Sequence, residues 1–517
     1  MSNHNLYAQI AARFPARPDD KVFARLPDGR SYSYGDVDRV SAQFANLVRS
    51  LGAKPGDRVA VQVEKSIEAL MLYLGVVRAG CVFLPLNTGY PPAELAYFLG
   101  DAKPALFICS PEKRGALEPV AREAGARLET LGVYRAPKEG ESVEAIAGTI
   151  AALGLEAGTS FVTHVNDGAD LAAILYTSGT TGRSKGAMLS HDNLASNSIT
   201  LADYWRFTPD DVLIHALPIF HTHGLFVATN VALFANASII LLQKFDAAEV
   251  LRWMPSATSM MGVPTFYTRL LDEDGLTKQA ASNMRLFISG SAPLLAETHR
   301  AWTERTGHAI LERYGMTETN MNTSNPYDGE RRPGTVGFAL PGVSLRIVDP
   351  DSGMPVAKGE IGMIEVKGPN VFSGYWQMPE KTASEFRPDG YFITGDLARE
   401  DGDGYVQIVG RGKDLIISGG FNVYPKEVEG HIDDMAGVNE SAVIGVPHRD
   451  FGEGVVAIVV PEKGASPDPQ AIGAALREKL AAFKCPKRIV IVDELPRNTM
   501  GKVQKNLLRD QYKDIFA

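Results

Sequence analysis

Between Ser41 and Ser110 the chain switches repeatedly from helical to extended periodicity, and this alternation restricts its fold more than any other feature. SAQFANLVRSLGA leads through the turn KPGD into RVAVQVE, and SIEALMLYLGVVRAG then leads into CVFLPLN. AELAYFLGDAKPALFICS and MRLFISGSAPL continue the theme. Short aliphatic strands separated by helix-length segments read as βαβ units, in which helices cover a parallel sheet. After about residue 335 the texture becomes strand-turn-strand, with PGVSLRIVD, GMIEVKG and DGYVQIVG set apart by Gly, Pro and Asp clusters. From Asp414 onward KEVEGHIDDM, SAVIGVPH, GVVAIVV, QAIGAALREKLAAF and RIVIVDE form a further α+β alternation.

With 517 residues the chain exceeds a single core, since cores stop growing at about 250–300 residues. The expected architecture is α/β: a large N-terminal domain over residues 1–411, made of helix-covered sheets with a β-rich subdomain at about 335–411, then a mobile α+β domain over 412–517. The junction GRGKD, Gly410 to Asp414, is polar and glycine-flanked as a hinge should be. GEGVVA, Gly452 to Ala457, fits a dinucleotide fingerprint by letters alone. It runs straight into a strand-like segment instead of opening a helix, so that function is set aside.

Charge narrows the ligands. Lys plus Arg total 52 against 61 for Asp plus Glu, and a net charge of −9 opposes general attraction to nucleic acid or anionic membrane. Anionic ligands must be met by local clusters. Three dispersed cysteines, Cys81, Cys109 and Cys485, with no C-x-x-C pair or nearby histidine set, exclude a disulfide framework and a recognisable zinc site. The first twenty residues lack a signal-peptide pattern, which makes the cytoplasm the expected location. Gly224 to Gln243 is uncharged for long enough to span a bilayer, but its Asn, Thr and Ser residues favour a buried helix followed by a buried strand.

One local cluster stands out. YTSGTTGRSKG, Tyr176 to Gly186, packs three glycines, five hydroxyl residues besides the tyrosine, Arg183 and Lys185 directly after the apolar LAAIL. Glycines let the backbone approach an anion and turn N–H groups toward it, while hydroxyls and cations add donors and charge. The spacing is not that of the common Walker loop.

The loop is joined in order by ERYGMTE (Glu312 to Glu318), YFITGD (Tyr391 to Asp396), GRGKDLIISGGFNVYPKEVE (Gly410 to Glu429) and PRNTMGK (Pro496 to Lys502). Together these motifs resemble the acyl-adenylate-forming enzymes: acyl-CoA synthetases, amino-acid adenylation domains and luciferases. VPTFYTRL, HTHGLF and ERYGMTETNMNTS resemble the malonyl-CoA synthetase branch. The resemblance implies a two-step reaction with ATP, Mg²⁺ and CoA, in which a carboxylate becomes an acyl-AMP and then an acyl thioester.

By that resemblance Thr177, Ser178, Gly179, Thr180, Thr181, Gly182 and Lys185 hold the β and γ phosphates, Glu318 holds Mg²⁺, and Lys502 bridges the carboxylate, the α-phosphate and the ribose. Glu312, Arg313, Tyr314, Gly315, Met316 and Thr317 belong to the nucleotide site, with Tyr314 stacking on adenine opposite Ser291, Ala292 and Pro293. Asp396 takes the ribose hydroxyls with help from Arg411, and Lys413 is the hinge. Rotation there would bring the loop Ser418, Gly419, Gly420 and Phe421 to the thiol-transfer face. Ser184 stands where the family usually has proline, which softens the turn. A protein lysine acetyltransferase acting on Lys502 is a further partner the resemblance implies.

For the acid itself, the resemblance implies that His221 stands near the position where amino-acid adenylation domains hold the substrate amine with an aspartate, and a histidine there would not favour an ammonium group. Arg269 in FYTRLL is expected on a pocket-lining helix. A buried guanidinium needs a partner, so a short dicarboxylate held by Arg269, His221 and Ser291 is expected, malonate first and methylmalonate second. Pairing of Arg269 with Asp272 or Glu273 is the competing expectation. Another short carboxylic acid, or loading of a carrier protein in place of CoA, is the alternative function.

Overall fold

The computed structural model describes residues 3–133, 143–177, 184–418, 421–498 and 501–516. The early alternation folds as read: helix Tyr34–Ser50, strand Arg58–Gln62, helix Ile67–Arg78 and strand Val82–Pro85 follow in order. Ser33 caps the first helix through the Asp36 N–H, and Ser66 caps the second through the Ala69 N–H. Ile67–Arg78 is buried along nearly its whole length, which is why its sequence is apolar all round instead of striped.

Two large sheets carry these units. Six strands run in the order Arg127–Thr130, Leu106–Cys109, Arg58–Gln62, Val82–Pro85, Leu171–Thr177, Lys185–Ser190; all pairs are parallel except the last. The second sheet has nine strands, with Val212–His215, Ser259–Gly262, Leu286–Ser289 and Leu311–Met316 adjacent and parallel near its middle. Antiparallel strands cap its edges. Residues 344–411 add four antiparallel strands, and residues 416–491 a five-stranded sheet. GEGVVA begins the strand Gly452–Pro461, as its context required.

The uncharged run is a π-helix, His223–Thr229, then the helix Asn230–Phe234 and the buried strand Ser238–Leu241. No helix among the described residues is long and apolar enough to cross a membrane. The π-helix start is held from both sheets. Lys65, just past Arg58–Gln62, approaches the end of the neighbouring sheet and donates to the His215 carbonyl (2.7 Å) and ring Nδ1 (2.9 Å). His215 Nε2 donates in turn to the Gly224 carbonyl at 2.9 Å. Burial drives the pKa of both Lys65 and His215 well down, which favours neutral partners in this tie.

Candidate active site

ERYGMTE forms the strand Leu311–Met316 and the turn after it. A Cβ on Gly315 would lie 1.9 Å from the Asn320 carbonyl oxygen, so only glycine lets the returning strand come this close. That turn carries Glu318 into a buried position. Tyr314 donates its hydroxyl to Asp396 Oδ2 at 2.6 Å, and Arg411 Nε donates to Asp396 Oδ1 at 2.7 Å. Asp396 and Arg411 face each other because Phe392–Glu400 and Val406–Arg411 pair antiparallel in that register. Asp396 lies inside a strand that continues to Glu400, not at its end. Glu312 accepts from the Gly334 N–H at 3.1 Å, and burial pushes its carboxyl up to about 8.

Lys502 is delivered by a tight turn. Asn498 N–H donates to the Lys502 carbonyl at 2.9 Å, Gly501 N–H to the Asn498 carbonyl at 2.8 Å, and Gly501 takes φ 74°, a left-handed value that suits glycine. The lysine as a residue is exposed, yet its ammonium lies among charged protein groups. Desolvation lowers its pKa first and Arg411 second, while Asp396 and Glu318 oppose them. Burial likewise raises the Glu318 pKa. Glu318, Asp396, Arg411 and Lys502, distant in sequence, thus share one electrostatic site.

The ends of the expected phosphate loop are the paired strands Leu171–Thr177 and Lys185–Ser190, with Thr177 opposite Lys185. Ser178, Gly179, Thr180, Thr181 and Gly182 lie outside the described residues, as do Gly419 and Gly420. Ser418 is buried, and the exposed Phe421 stacks on Phe483 with ring centroids 4.7 Å apart. A cavity of about 450 Å³ lined by Ala93, Glu94, Tyr97, Phe98 and Ser184 flanks this hairpin without touching Glu318 or Lys502.

Arg269 and His221 differ from expectation in burial and in charge. Arg269 ends the helix Pro264–Leu271 exposed, and among the described residues it forms no ion pair with Asp272 or Glu273. The expected buried guanidinium is therefore not Arg269, because this helix buries Tyr267 and Leu270 and leaves the face of Thr268 and Arg269 exposed. Arg313 is the buried one, only 4% exposed, and its Nε and Nη2 atoms have no hydrogen-bond partner. It packs on Gly290, where a Cβ would lie 2.4 Å from its Cζ. Burial pulls its pKa down to about 9, partly offset by Tyr267.

His221 is near both Arg313 and Lys502; burial first, then these two cations, hold its pKa down to about 3. It is a neutral group, not the cation that a carboxylate pocket first suggests. His223 is buried beside Ser291, with Nδ1 3.2 Å from Oγ and Nε2 unpartnered. Ser291 adopts φ 71°, unusual for a non-glycine residue and common at binding sites. The burial of His223 beside Ser291 and of the partly unpartnered Arg313 escaped the sequence patterns; the one available signal for the first was a second histidine two residues from His221.

Residues 10–376 match the model of the AMP-binding enzyme family, and residues 427–502 match the AMP-binding enzyme C-terminal domain. A malonate–CoA ligase of Arabidopsis thaliana is 34% identical over 93% of this chain and 85% of that protein. The crystal structure of ATP-bound MatB from Rhodopseudomonas palustris is 60% identical, covers 100% of both chains and superposes with a TM-score of 0.95. Apo MatB from the same organism, also 60% identical over 100% of both chains, gives 0.84. The present arrangement, with Lys502 inside the site, is thus nearer the ATP-bound form. The chain belongs to the AMP-binding enzymes, the acyl-adenylate-forming family that its five ordered motifs resemble.

Proposed function

We propose that this protein is an ATP-dependent malonate–CoA ligase with methylmalonate as a second substrate. The carboxylate attacks the α-phosphate of ATP, releasing pyrophosphate and forming acyl-AMP; the CoA thiol then attacks the acyl carbon and AMP leaves. The carrying observation is Arg313, a buried guanidinium with two unpartnered nitrogens beside His221 and within electrostatic reach of Lys502. An unpaired buried charge is destabilising by several kcal/mol, and the free carboxylate of a dicarboxylic acid would relieve it while the other carboxylate reacts. The names of the malonate–CoA ligase relatives support the same substrate.

In-line transfer at phosphorus depends mainly on positioning and on stabilising negative charge. Lys502 meets the reacting carboxylate and the α-phosphate, Asp396 with Arg411 takes the ribose, and Thr177 and Lys185 bound the pyrophosphate loop. Magnesium suits Glu318, a buried carboxylate whose charged form gains from a nearby cation. Among the described residues no set of three or more acidic, His or Cys side chains forms a metal cage. Mg²⁺ is commonly held by one or two carboxylates together with phosphates and water; when bound it neutralises phosphate charge.

Residues 1–411 and 412–517 are read as two domains, with rotation near Lys413 withdrawing Lys502 and presenting Ser418 to Phe421 for thiol transfer. Gly410 and Gly412 beside the hinge favour such motion. Acetylation of the water-accessible Lys502 by a lysine acetyltransferase would remove its charge and silence the first step. A cytoplasmic setting, where ATP and CoA meet, suits this chemistry. The test is AMP release from purified protein with ATP, Mg²⁺ and CoA across C2 to C6 mono- and dicarboxylates. Malonate should lead; acetate or octanoate consumed as efficiently would overturn the substrate.

A further inference from the structure

Lys185, the cation at the end of the phosphate loop, is held by groups from a distant part of the chain. Its Nζ lies 3.2 Å from Glu385 Oε1 and 4.0 Å above the ring of Tyr375. The Tyr375 hydroxyl lies 2.7 Å from Glu385 Oε2 and 3.1 Å from Glu318 Oε1. Lys381, one helical turn before Glu385, fixes Oε1 from the other side at 2.6 Å.

The backing is firm. Residues 373–376 run alongside the strand Lys185–Ser190, with the Trp376 N–H on the Gly186 carbonyl (2.7 Å) and the Met188 N–H on the Gly374 carbonyl (2.9 Å). Tyr375 is itself only 2% exposed. Glu385 keeps Lys381 as a partner whatever Lys185 does, so it need not be bought off when a phosphate arrives. An ammonium has three donors, and this carboxylate takes one while the aromatic face supports the cation from below.

We infer that Tyr375 and Glu385 form a socket that positions Lys185 for the β and γ phosphates of ATP, and that Tyr375 ties this socket to Glu318. The inference rests on the ATP site proposed above. A flexible lysine loses substantial rotamer freedom when it binds an anion; a socket that orders it beforehand removes that loss from nucleotide binding. Tyr375 and Glu385 are positioning residues, since they act through Lys185 and Glu318.

Malonate-dependent ATP–pyrophosphate exchange on the full-length protein tests this. Glu385→Gln should raise the KM for ATP about tenfold, the scale of one charge-assisted hydrogen bond, with the KM for malonate changed by less than about twofold. In a Lys185→Met background the same substitution should add less than about twofold, because the residue it positions is gone. Tyr375→Phe, which keeps the ring but removes the hydroxyl between Glu385 and Glu318, should raise the KM for ATP about threefold or more, with part of that effect surviving in the Lys185→Met background because the tie to Glu318 does not pass through Lys185. The socket is overturned if Glu385→Gln leaves the KM for ATP unchanged, or if its effect is equal in both backgrounds. Absence of exchange in the unaltered protein would instead overturn the ATP site on which the socket rests.

Discussion

Lys502 stands among two carboxylates, Asp396 and Glu318, and two guanidiniums, Arg411 and Arg313, so its ammonium is balanced for contact with a transient anion. Lys502→Ala should lower adenylation, followed by pyrophosphate exchange, by about a hundredfold to a thousandfold, the scale of a group that stabilises developing charge. Thioester formation from supplied malonyl-AMP should fall far less; equal loss of both halves would contradict the two-conformation scheme. The two arginines divide differently from what their neighbours suggest. Arg313→Gln should raise the KM for malonate about tenfold to a hundredfold, as expected for a lost charge-assisted pair of about 1.5–3 kcal/mol. Arg269→Gln should change it by less than about threefold, since exposed charges are screened. Steady-state kinetics with malonate and acetate would check both. Local sequence did not separate the two, with Arg269 between Thr268 and Leu270 and Arg313 between Glu312 and Tyr314; the buried one is the one packed on Gly290.

At the scale of elements, the most demanding joint is the turn after Leu311–Met316. Gly315→Ala would drive a methyl into the Asn320 carbonyl, 1.9 Å away, and should destabilise the protein by about 2–3 kcal/mol, as overpacking against backbone does. Urea unfolding measures that loss, and ATP binding should weaken with it because Tyr314 and Glu318 flank the turn. The helices and strands of the first hundred residues were legible because their period and caps are local. ERYGMTE was legible as a motif but not as a strand joined to an antiparallel return. The π-helix at His223–Thr229 was also hidden, because its register follows the contact from His215 to the Gly224 carbonyl. Tyr375 and Glu385 left no pattern in GYWQMPEKTASEF at all; their meaning came from the strand beside them.

For the whole molecule, the buried histidines set a direction for acid stability. His191 accepts the Leu6 N–H on Nδ1 at 3.0 Å and is fully buried. Burial lowers its pKa from 6.5 to about 4. The unfolded chain therefore binds this proton more readily, and the stability associated with neutral His191 is present above pH 6.5 and is lost as the pH falls toward 4. One such group contributes about 3 kcal/mol across that window, and His221, held down to about 3, acts in the same direction. Denaturant unfolding at pH 7 and pH 5 should give lower stability at pH 5, with His191→Gln flattening the difference.

What the sequence by itself determined was the family and its chemistry. Five motifs in order carry the glycines, hydroxyls, carboxylates and lysine of an adenylating site, and each works through short-range spacing. Which arginine is buried was decided only by tertiary structure. Whether a guanidinium is paired with water, with a carboxylate or with nothing depends on which surfaces meet over it. Arg313 packs on Gly290 and lies within electrostatic reach of His221, His223 and Lys502, groups that come together only when the whole chain has folded.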